Sequence, residues 1–427
     1  MKTGTNFRCP LKRTVLFDRC NTKSYFLSLL IVPMFSSLSF ASSISFIDLN
    51  PPAAVQSQIR GVDGSGQAGY VILPGSLVHA AVWSGNAASF VDLNPPGADH
   101  SEARGGGGQA QGGYAYFING SVASVQAALW YGSPAYINLS SSATLYPTTG
   151  SWQGGALTVG PALHPVLFSG SADSIVDLTP SGASGTVYGL DDSHQVGGVS
   201  ISGAQHAALW SGSAGSFVDL HPIGAVSSLA YGVSGLHQAG VARFGTGAVP
   251  HAGLWSGTPA SYVDLSPPGT TNSVINAASG MRQGGYVKIN DRNHAALWSG
   301  TASSFVDLQL VLGADYTNSM IQGVWTDGNV TYAGGYAYPV SSPSKVSHAI
   351  LWKVIEPPPL EISTTVGQTN LTTLTWSNNG TSCDLQTSVS ITETWTSVLS
   401  PRTTDPNWIS TTVTNNSPVQ FFRLRAN

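Results

Sequence analysis

The chain has 427 residues, of which only 9% are charged, with 17 Lys and Arg against 21 Asp and Glu for a net charge of −4. Beyond a basic N-terminal leader it carries no basic stripe, which argues against nucleic acid and anionic membrane surfaces as partners. Apolar residues make up 42% of the chain, so its 49 glycines do not indicate disorder.

The first element in chain order is a basic leader followed by an apolar run. The run extends from Tyr25 to Phe40, and its 16 residues are too few for a comfortable membrane span. Small residues stand at Ser39 and Ala41, the two positions that a signal peptidase reads. We therefore predict a secretory signal peptide over residues 1–41, cleaved near Ala41, and a bacterial protein that is extracellular or at the cell surface without an integral membrane segment.

Cleavage would change the charge and the cysteine content. It removes six basic residues and Asp18, and leaves 11 basic against 20 acidic residues. Cys9 and Cys20 are lost as well, so Cys383 remains alone. The mature chain then has neither an internal disulfide nor a cysteine-based zinc site.

Two phrases recur seven times in the next 300 or so residues, one reading roughly His-Ala-Ala-Leu-Trp and the other Phe-Val-Asp-Leu. The first phrase ends at Trp83, Trp130, Phe168, Trp210, Trp255, Trp298 and Trp352. The second centres on Asp48, Asp92, Asn138, Asp177, Asp219, Asp264 and Asp307. A period near 44 residues is typical of a repeat architecture.

Each period contains two further strand-like segments, for example Ile59–Val62 and Gln67–Val71. A short linker rich in Gly, Asp and Ser joins them, as in a β-hairpin. Four strands per period predict a seven-bladed β-propeller over residues 42–355. The array opens with an unpaired Phe46–Leu49 and closes with an unpaired His348–Trp352, so the first strand is expected to complete the last blade.

These motifs, together with a Gly-Gln-x-x-Gly-Tyr turn, resemble the HAF-type extracellular repeats of bacteria. The resemblance covers residues 44–352. It implies secretion and a repeat fold, and no activity. The copies here often have Ala where that family has Phe, and the copy over 148–168 is degenerate.

A second module follows the repeats. Residues 356–359 read Glu-Pro-Pro-Pro, a stiff linker. Short strand patterns punctuated by Pro, Asn and Gly then predict an immunoglobulin- or fibronectin-like β-sandwich over residues 360–427. The predicted fold class is therefore all-β, a propeller of four-stranded blades followed by a small sandwich.

A histidine stands four residues before the aromatic anchor in six repeats, and Gln126 takes its place in the seventh. The alternatives are a metal or catalytic ring and a hydrogen-bond network within each blade. Ring symmetry would hold such sites far apart, so we predict a structural network of these residues: His79, His164, His206, His251, His294, His348, Asp48, Asp92, Asp177, Asp219, Asp264 and Asp307.

Nine acids of the predicted propeller lie outside that pattern: Asp63, Asp99, Glu102, Asp173, Asp191, Asp192, Asp291, Asp315 and Asp327. An enzyme acting on polysaccharides would need two of them to converge. Asp191-Asp192 could bind calcium, but no ladder of ligands surrounds the pair. We find no serine-hydrolase, P-loop or zinc-protease motif, and predict no catalytic residue, no metal and no cofactor.

Several exposed aromatic and basic residues are specific to single blades, including Arg243, Phe244, Arg282 and Arg292. We predict a binding surface formed by Tyr131, Trp152, Trp325 and Tyr332, because aromatic side chains stack on sugars and peptides. The predicted function is a secreted, non-catalytic repeat protein for extracellular binding or surface structure, with a glycan or surface protein as partner. The alternative is a polysaccharide-active hydrolase or lyase using non-repeat acids near the ring axis.

Overall fold

The structure is a computed structural model that describes residues 42–64, 66–75, 77–341, 346–356, 360–364, 371–377, 383–388, 394–404, 408–414 and 421–426. The predicted signal peptide and the three linker prolines lie outside these residues.

The first strand, β1 (Ser43–Asp48), stands apart from the strands that follow it in sequence. The next 24 strands form six antiparallel sheets of four consecutive strands each: β2 (Gln56–Asp63), β3 (Gly66–Ile72), β4 (Val78–Trp83) and β5 (Val91–Asp92); β6 (His100–Gly106), β7 (Gln111–Asn119), β8 (Val122–Trp130) and β9 (Tyr136–Ser140); β10 (Ala143–Thr148), β11 (Gln153–Val159), β12 (Ala162–Phe168) and β13 (Val176–Asp177); β14 (Ser184–Leu190), β15 (Gln195–Ile201), β16 (Ala204–Trp210) and β17 (Val218–Asp219); β18 (Ala225–Ser234), β19 (His237–Phe244), β20 (Val249–Trp255) and β21 (Val263–Asp264); β22 (Ser273–Ser279), β23 (Arg282–Ile289), β24 (Arg292–Trp298) and β25 (Val306–Asp307).

The seventh sheet combines the two ends of the array. Its strands are β26 (Tyr316–Asp327), β27 (Val330–Pro339) and β28 (His348–Ile355), with β1 as the fourth. Strand β1 pairs antiparallel with β28 over six residues, from Ser43 opposite Ile355 to Asp48 opposite Ile350. The predicted seven-bladed propeller is confirmed.

The core lies between neighbouring blades. All seven aromatic anchors are fully buried. One cluster, for example, joins Ala80 and Val82 of the first blade with Ala103 and Trp130 of the second. Every sheet is therefore covered on both faces, which explains why the strands lack a simple apolar–polar alternation.

Short helices join the strands within the blades. Single 3-10 turns connect the third and fourth strands of five blades, at Ala87–Ser89, Ala172–Ser174, Ala214–Ser216, Pro259–Ser261 and Ala302–Ser304. The α-helix α1 (Gln309–Leu312) and a 3-10 turn at Gly313–Asp315 precede β26. None of the helices within the described ranges could cross a membrane.

The C-terminal module forms two sheets. Strands β29 (Leu360–Thr364), β30 (Leu371–Ser377), β34 (Trp408–Thr414) and β33 (Arg402–Thr404) form one, and β32 (Thr396–Ser397), β31 (Cys383–Ser388) and β35 (Phe421–Ala426) form the other. Cys383 and Leu385 are both buried, on the same face of β31 as period-two alternation requires, and pack with Leu374, Trp376 and Leu424. The predicted small sandwich is confirmed as part of the fold class.

Candidate functional site

The recurring histidines and aspartates lie together within the blades. In each of six blades a histidine Nδ1 is 2.7–2.8 Å from the aspartate Oδ2, in the pairs His79–Asp92, His164–Asp177, His206–Asp219, His251–Asp264, His294–Asp307 and His348–Asp48. The other oxygen of Asp92 accepts a hydrogen bond from the backbone N–H of Asn94, two residues later. Each pair thus ties the third strand to the fourth. Among the described residues, no three His, Cys, Asp or Glu side chains form a cluster that could hold a metal ion.

The last blade carries the seam of the ring and has an extra bond. Asp48 accepts from His348, and also from the Tyr316 hydroxyl at 2.9 Å. Burial raises the pKa of Asp48, but the hydrogen bonds from His348, Tyr316 and the Asn50 backbone outweigh it, so its pKa lies below the ordinary value. In the second blade Gln126 accepts a hydrogen bond from Tyr136 instead.

Serines make further repeated ties from blade to blade. At six boundaries the hydroxyl of an inner-strand serine accepts the backbone N–H of the preceding blade's third strand at 2.9 Å, with donors and acceptors Ala80–Ser101, Leu163–Ser184, Ala207–Ser228, Ala252–Ser273, Ala295–Ser319 and Ala349–Ser57. Together with the His–Asp pairs, these bonds form what we call the blade network.

A different arrangement occupies the centre of the ring, where the inner strands β2, β6, β10, β14, β18, β22 and β26 line an axial cavity of about 490 Å³. Every one of these strands has a β-bulge, at which one residue, or in β10 the two residues Tyr146 and Pro147, lies outside the pairing with the second strand. A bulge redirects its side chain, and such features are common next to functional sites. The residues at these bulges all line the cavity, and we call them the axial ring: Arg60, Arg104, Tyr146, Tyr188, Tyr231, Asn276 and Gln322.

In five of the seven blades a glycine follows the bulge residue and lets neighbouring inner strands approach one another. A Cβ on Gly61 would lie 2.5 Å from the carbonyl oxygen of Gly106, and one on Gly232 would lie 2.5 Å from the amide nitrogen of Ala278. Neighbouring inner strands therefore meet backbone to backbone around the axis. This close approach holds the axial ring on a rigid frame.

Charge in the cavity is concentrated at the first two blades. Glu102 is buried and accepts hydrogen bonds from two guanidinium groups, from Arg60 Nε at 2.9 Å and from Arg104 Nε at 3.1 Å. Burial lowers the pKa of Arg104, but the negative charge of Glu102 outweighs it and the pKa is raised. One carboxylate thus serves two guanidinium groups, which leaves the cluster with a net charge of +1.

Aromatic rings extend this cluster around half of the axis. The Arg104 guanidinium lies 4.8 Å from the ring centroids of both Tyr114 and Tyr146, so it is held between two aromatic faces. Tyr188 lies next, 5.3 Å from Tyr146 and 5.5 Å from Tyr231.

The phenols of Tyr188 and Tyr231 stay protonated at neutral pH. Burial raises the pKa of Tyr188, and it raises that of Tyr231 to about 12. At neutral pH these phenols are therefore uncharged groups that can both donate and accept hydrogen bonds. They add aromatic surface to the cavity without adding charge.

The four residues predicted as a binding surface line no part of this cavity. Trp325 and Tyr332 contact each other, with ring centroids 5.8 Å apart in the last blade. Tyr131 is exposed at the end of β8, while Trp152 packs against the buried cluster around Leu167 and Trp210. The repeat pattern does not predict the residues that do converge, because their positions carry different side chains in different copies. Five of the seven directly precede a glycine of the inner strand, as in Arg60-Gly61 and Tyr231-Gly232, and that recurrent pair is the signal that could have found them.

Of the nine non-repeat acids, Glu102 alone lines the axial cavity. Asp63 and Asp191 instead accept backbone N–H groups of the next blade's hairpin, from Gly108 and Gly235. A pair of convergent carboxylates, which glycoside hydrolysis commonly needs, is therefore not present among the described residues that line the ring axis.

No protein-family model and no curated protein matches the chain. Solved structures do resemble it. A puromycin-hydrolysing peptidase of Mycobacterium tuberculosis has a TM-score of 0.39 and 12% identity over 79% of this chain and 61% of its own. An acylaminoacyl peptidase of Pyrococcus horikoshii has a TM-score of 0.47 and 8% identity over 78% and 59%. The β-propeller domain of the Trilobed protease from Pyrococcus furiosus has a TM-score of 0.45 and 9% identity over 70% and 94%.

At these identities the likeness shows the fold alone, and the chain spans about 60% of the length of the two full peptidases. The propellers that it resembles come from peptidases, and this finding contradicts the predicted role in non-catalytic binding or surface structure. Among the described residues that line the axis Glu102 is the one carboxylate, so they do not supply the paired acids that the polysaccharide-active alternative requires. The physical reason for both errors is the same. The variable residues converge inside the ring, whereas the sequence was read for exposed aromatics and for paired acids.

Proposed function

We propose that the chain is a peptide-binding propeller that serves proteolysis, with the axial cavity as its binding site. The observation that carries the proposal is the axial ring, in which seven inner-strand bulges place seven side chains of four kinds around one cavity. A volume of about 490 Å³ is in the range of known ligand sites.

The chemistry of the cavity suits a peptide better than a neutral sugar. Asn276 and Gln322 carry amide groups that match those of a peptide backbone. The layer of residues two positions beyond the ring includes Val62, Leu190 and Val233, which suit apolar side chains. The arginine pair adds one net positive charge, which a neutral glycan has no group to satisfy.

The solved structures of similar fold named above are peptidases or the propeller domain of a protease. We further propose that the chain is exported, which the basic leader and the apolar run before Ala41 support. The HAF-type resemblance remains a prediction and agrees with export.

The test is binding of a library of short extended peptides to the purified chain, measured by fluorescence anisotropy or calorimetry. We expect a set of peptides to bind, and we expect Tyr188→Leu to weaken them. Tyr131→Ala is the matched control, because it removes an exposed aromatic that lies outside the cavity. Absence of binding by any peptide, or equal loss in both variants, would contradict the proposal.

A further inference from the structure

The axial cavity is chemically polarised along the ring axis. Its wall consists of each bulge residue, the two residues that follow it and Glu102. The charged cluster of Arg60, Glu102 and Arg104 therefore lies at one end of the wall. The other end, nearest the hairpins between first and second strands, is formed by small and apolar residues that include Leu190 and Val233.

The charged end has spare hydrogen-bonding capacity for an anion. Each guanidinium contacts Glu102 through Nε, and a guanidinium has five N–H donors. The side chains of Arg60 and Arg104 remain 31% and 27% exposed, whereas that of Glu102 is 8% exposed. Glu102 thus holds the two like-charged groups together from the buried side, and their donors remain accessible from the cavity.

Stability alone does not explain this cluster. Replacing a buried ion pair by apolar residues is often neutral or stabilising, so an ion triad is weak evidence for a structural role. Arginine is favoured where a carboxylate is bound in a planar, bidentate manner. Arg104 is further held between Tyr114 and Tyr146, so its plane is fixed before a ligand arrives.

From this geometry we propose that the axial cavity recognises the C-terminal carboxylate of a peptide, with Arg60 and Arg104 as the groups that bind it. The inference rests on the proposed function. A chain that enters from the hairpin end places its apolar side chains against the Leu190 and Val233 layer. Its terminal carboxylate then reaches the guanidinium pair, whereas an internal acidic side chain would require the chain to continue past the ring.

The experiment compares matched peptides on the purified full chain. The tightest peptide from the library is made with a free carboxyl terminus and with a C-terminal amide, and succinate serves as a small competing carboxylate. We expect the amide to bind about 10- to 100-fold more weakly than the acid, as for the loss of a charge-assisted hydrogen bond. Succinate should compete far less well than the peptide acid.

Variants locate the effect. Arg104→Met and Arg60→Met should each reduce the ratio between acid and amide toward one, because binding of the acid falls more than binding of the amide. Arg104→Lys, which keeps the charge but loses the planar fork, should give an intermediate ratio. Thermal melting checks that each variant folds, and Arg292→Met provides a matched loss of an arginine outside the cavity that should leave the ratio unchanged.

The outcomes separate the two proposals. If acid and amide bind equally, the carboxylate inference is overturned and the peptide-binding function stands. If neither binds, the function itself fails. If succinate competes as well as the peptide acid, the cavity is a site for small carboxylates and the assignment to a peptide terminus is wrong.

Discussion

The blade network and the axial ring both recur around the propeller, but they vary in opposite ways. His–Asp pairs with the same geometry occur in six of seven blades, at 2.7–2.8 Å. In the axial ring the backbone bulge recurs in all seven blades, yet the side chain on it changes from Arg to Tyr, Asn or Gln. The residues that recur in the blade network stabilise the blades. In the axial ring only the backbone bulge recurs, so its side chains are free to differ and to set the chemistry of the cavity.

Removing a strand of the ring should cause the largest loss of stability among the changes that test this comparison. Deleting residues 42–50 removes β1, the partner of β28, together with the fully buried Leu49 and the Asp48–His348 bond. We expect the free energy of unfolding to fall by several kcal/mol, as for other losses of core elements. Chemical denaturation measures this. An unchanged midpoint would mean that the ring does not depend on this strand.

The next largest effect is expected where neighbouring inner strands approach each other around the axial ring. Gly232→Ala places a methyl group 2.5 Å from the backbone of the neighbouring inner strand. We expect a loss of about 1–3 kcal/mol from overpacking. Gly215→Ala is the control, since nothing lies within 4 Å of a Cβ there. If the two variants are equally stable, the close approach of neighbouring inner strands does not exclude a side chain at Gly232.

One pair of variants should distinguish the role of the blade network in stability from the role of the axial ring in binding. His206→Ala leaves the partly exposed Asp219 without its partner, so we expect a loss of stability of about 1–2 kcal/mol with peptide binding unchanged.

The second member of the pair is Tyr188→Leu, which removes two aromatic contacts of the ring. It should change stability by about 1 kcal/mol or less. It should cost about 0.5–1.5 kcal/mol of binding free energy. Denaturation and peptide titration of both proteins test the pair. A binding defect in His206→Ala would contradict the division of roles.

The smallest effect concerns pH. The folded pKa of Asp48 lies below its unfolded value of about 3.9. Its contribution to stability is therefore complete above that unfolded pKa, and it is lost as the pH falls through the lower folded pKa. We expect Asp48→Asn to be less stable than the wild type at neutral pH, with a gap that narrows below about pH 4. Asp173→Asn, at an exposed turn, should show no such gap. A constant difference across pH would contradict this role of the carboxylate.

Much of the fold could be predicted from the residues that repeat. The Trp anchors, the His–Asp spacing and the glycine-rich hairpins recur because each has one packing role in every blade, so the period and the closing strand were visible. The axial ring could not be predicted in this way. A bulge is a feature of the backbone and accepts side chains as different as those of Arg60 and Tyr231, so it leaves no constant residue at that position in the sequence. The 3-10 turns were missed for a similar reason, since their Ala, Gly and Ser residues also suit plain turns. Exposed residues such as Tyr131 were overvalued because sequence does not show which side chains converge.

The seam between β1 and β28 sets the order in which the molecule can fold. Asp48 and His348 are hydrogen-bonded across 300 residues of sequence. The last blade can therefore be completed only after the strands of every other blade have been synthesised. Contacts this distant in sequence close slowly, because the entropy of a long loop must be lost before the pairing forms. Until then β1 is a free strand, and the inner strand of the first blade lacks its neighbour. Before ring closure these strand edges are therefore exposed, and they can pair with the edges of another copy of the chain.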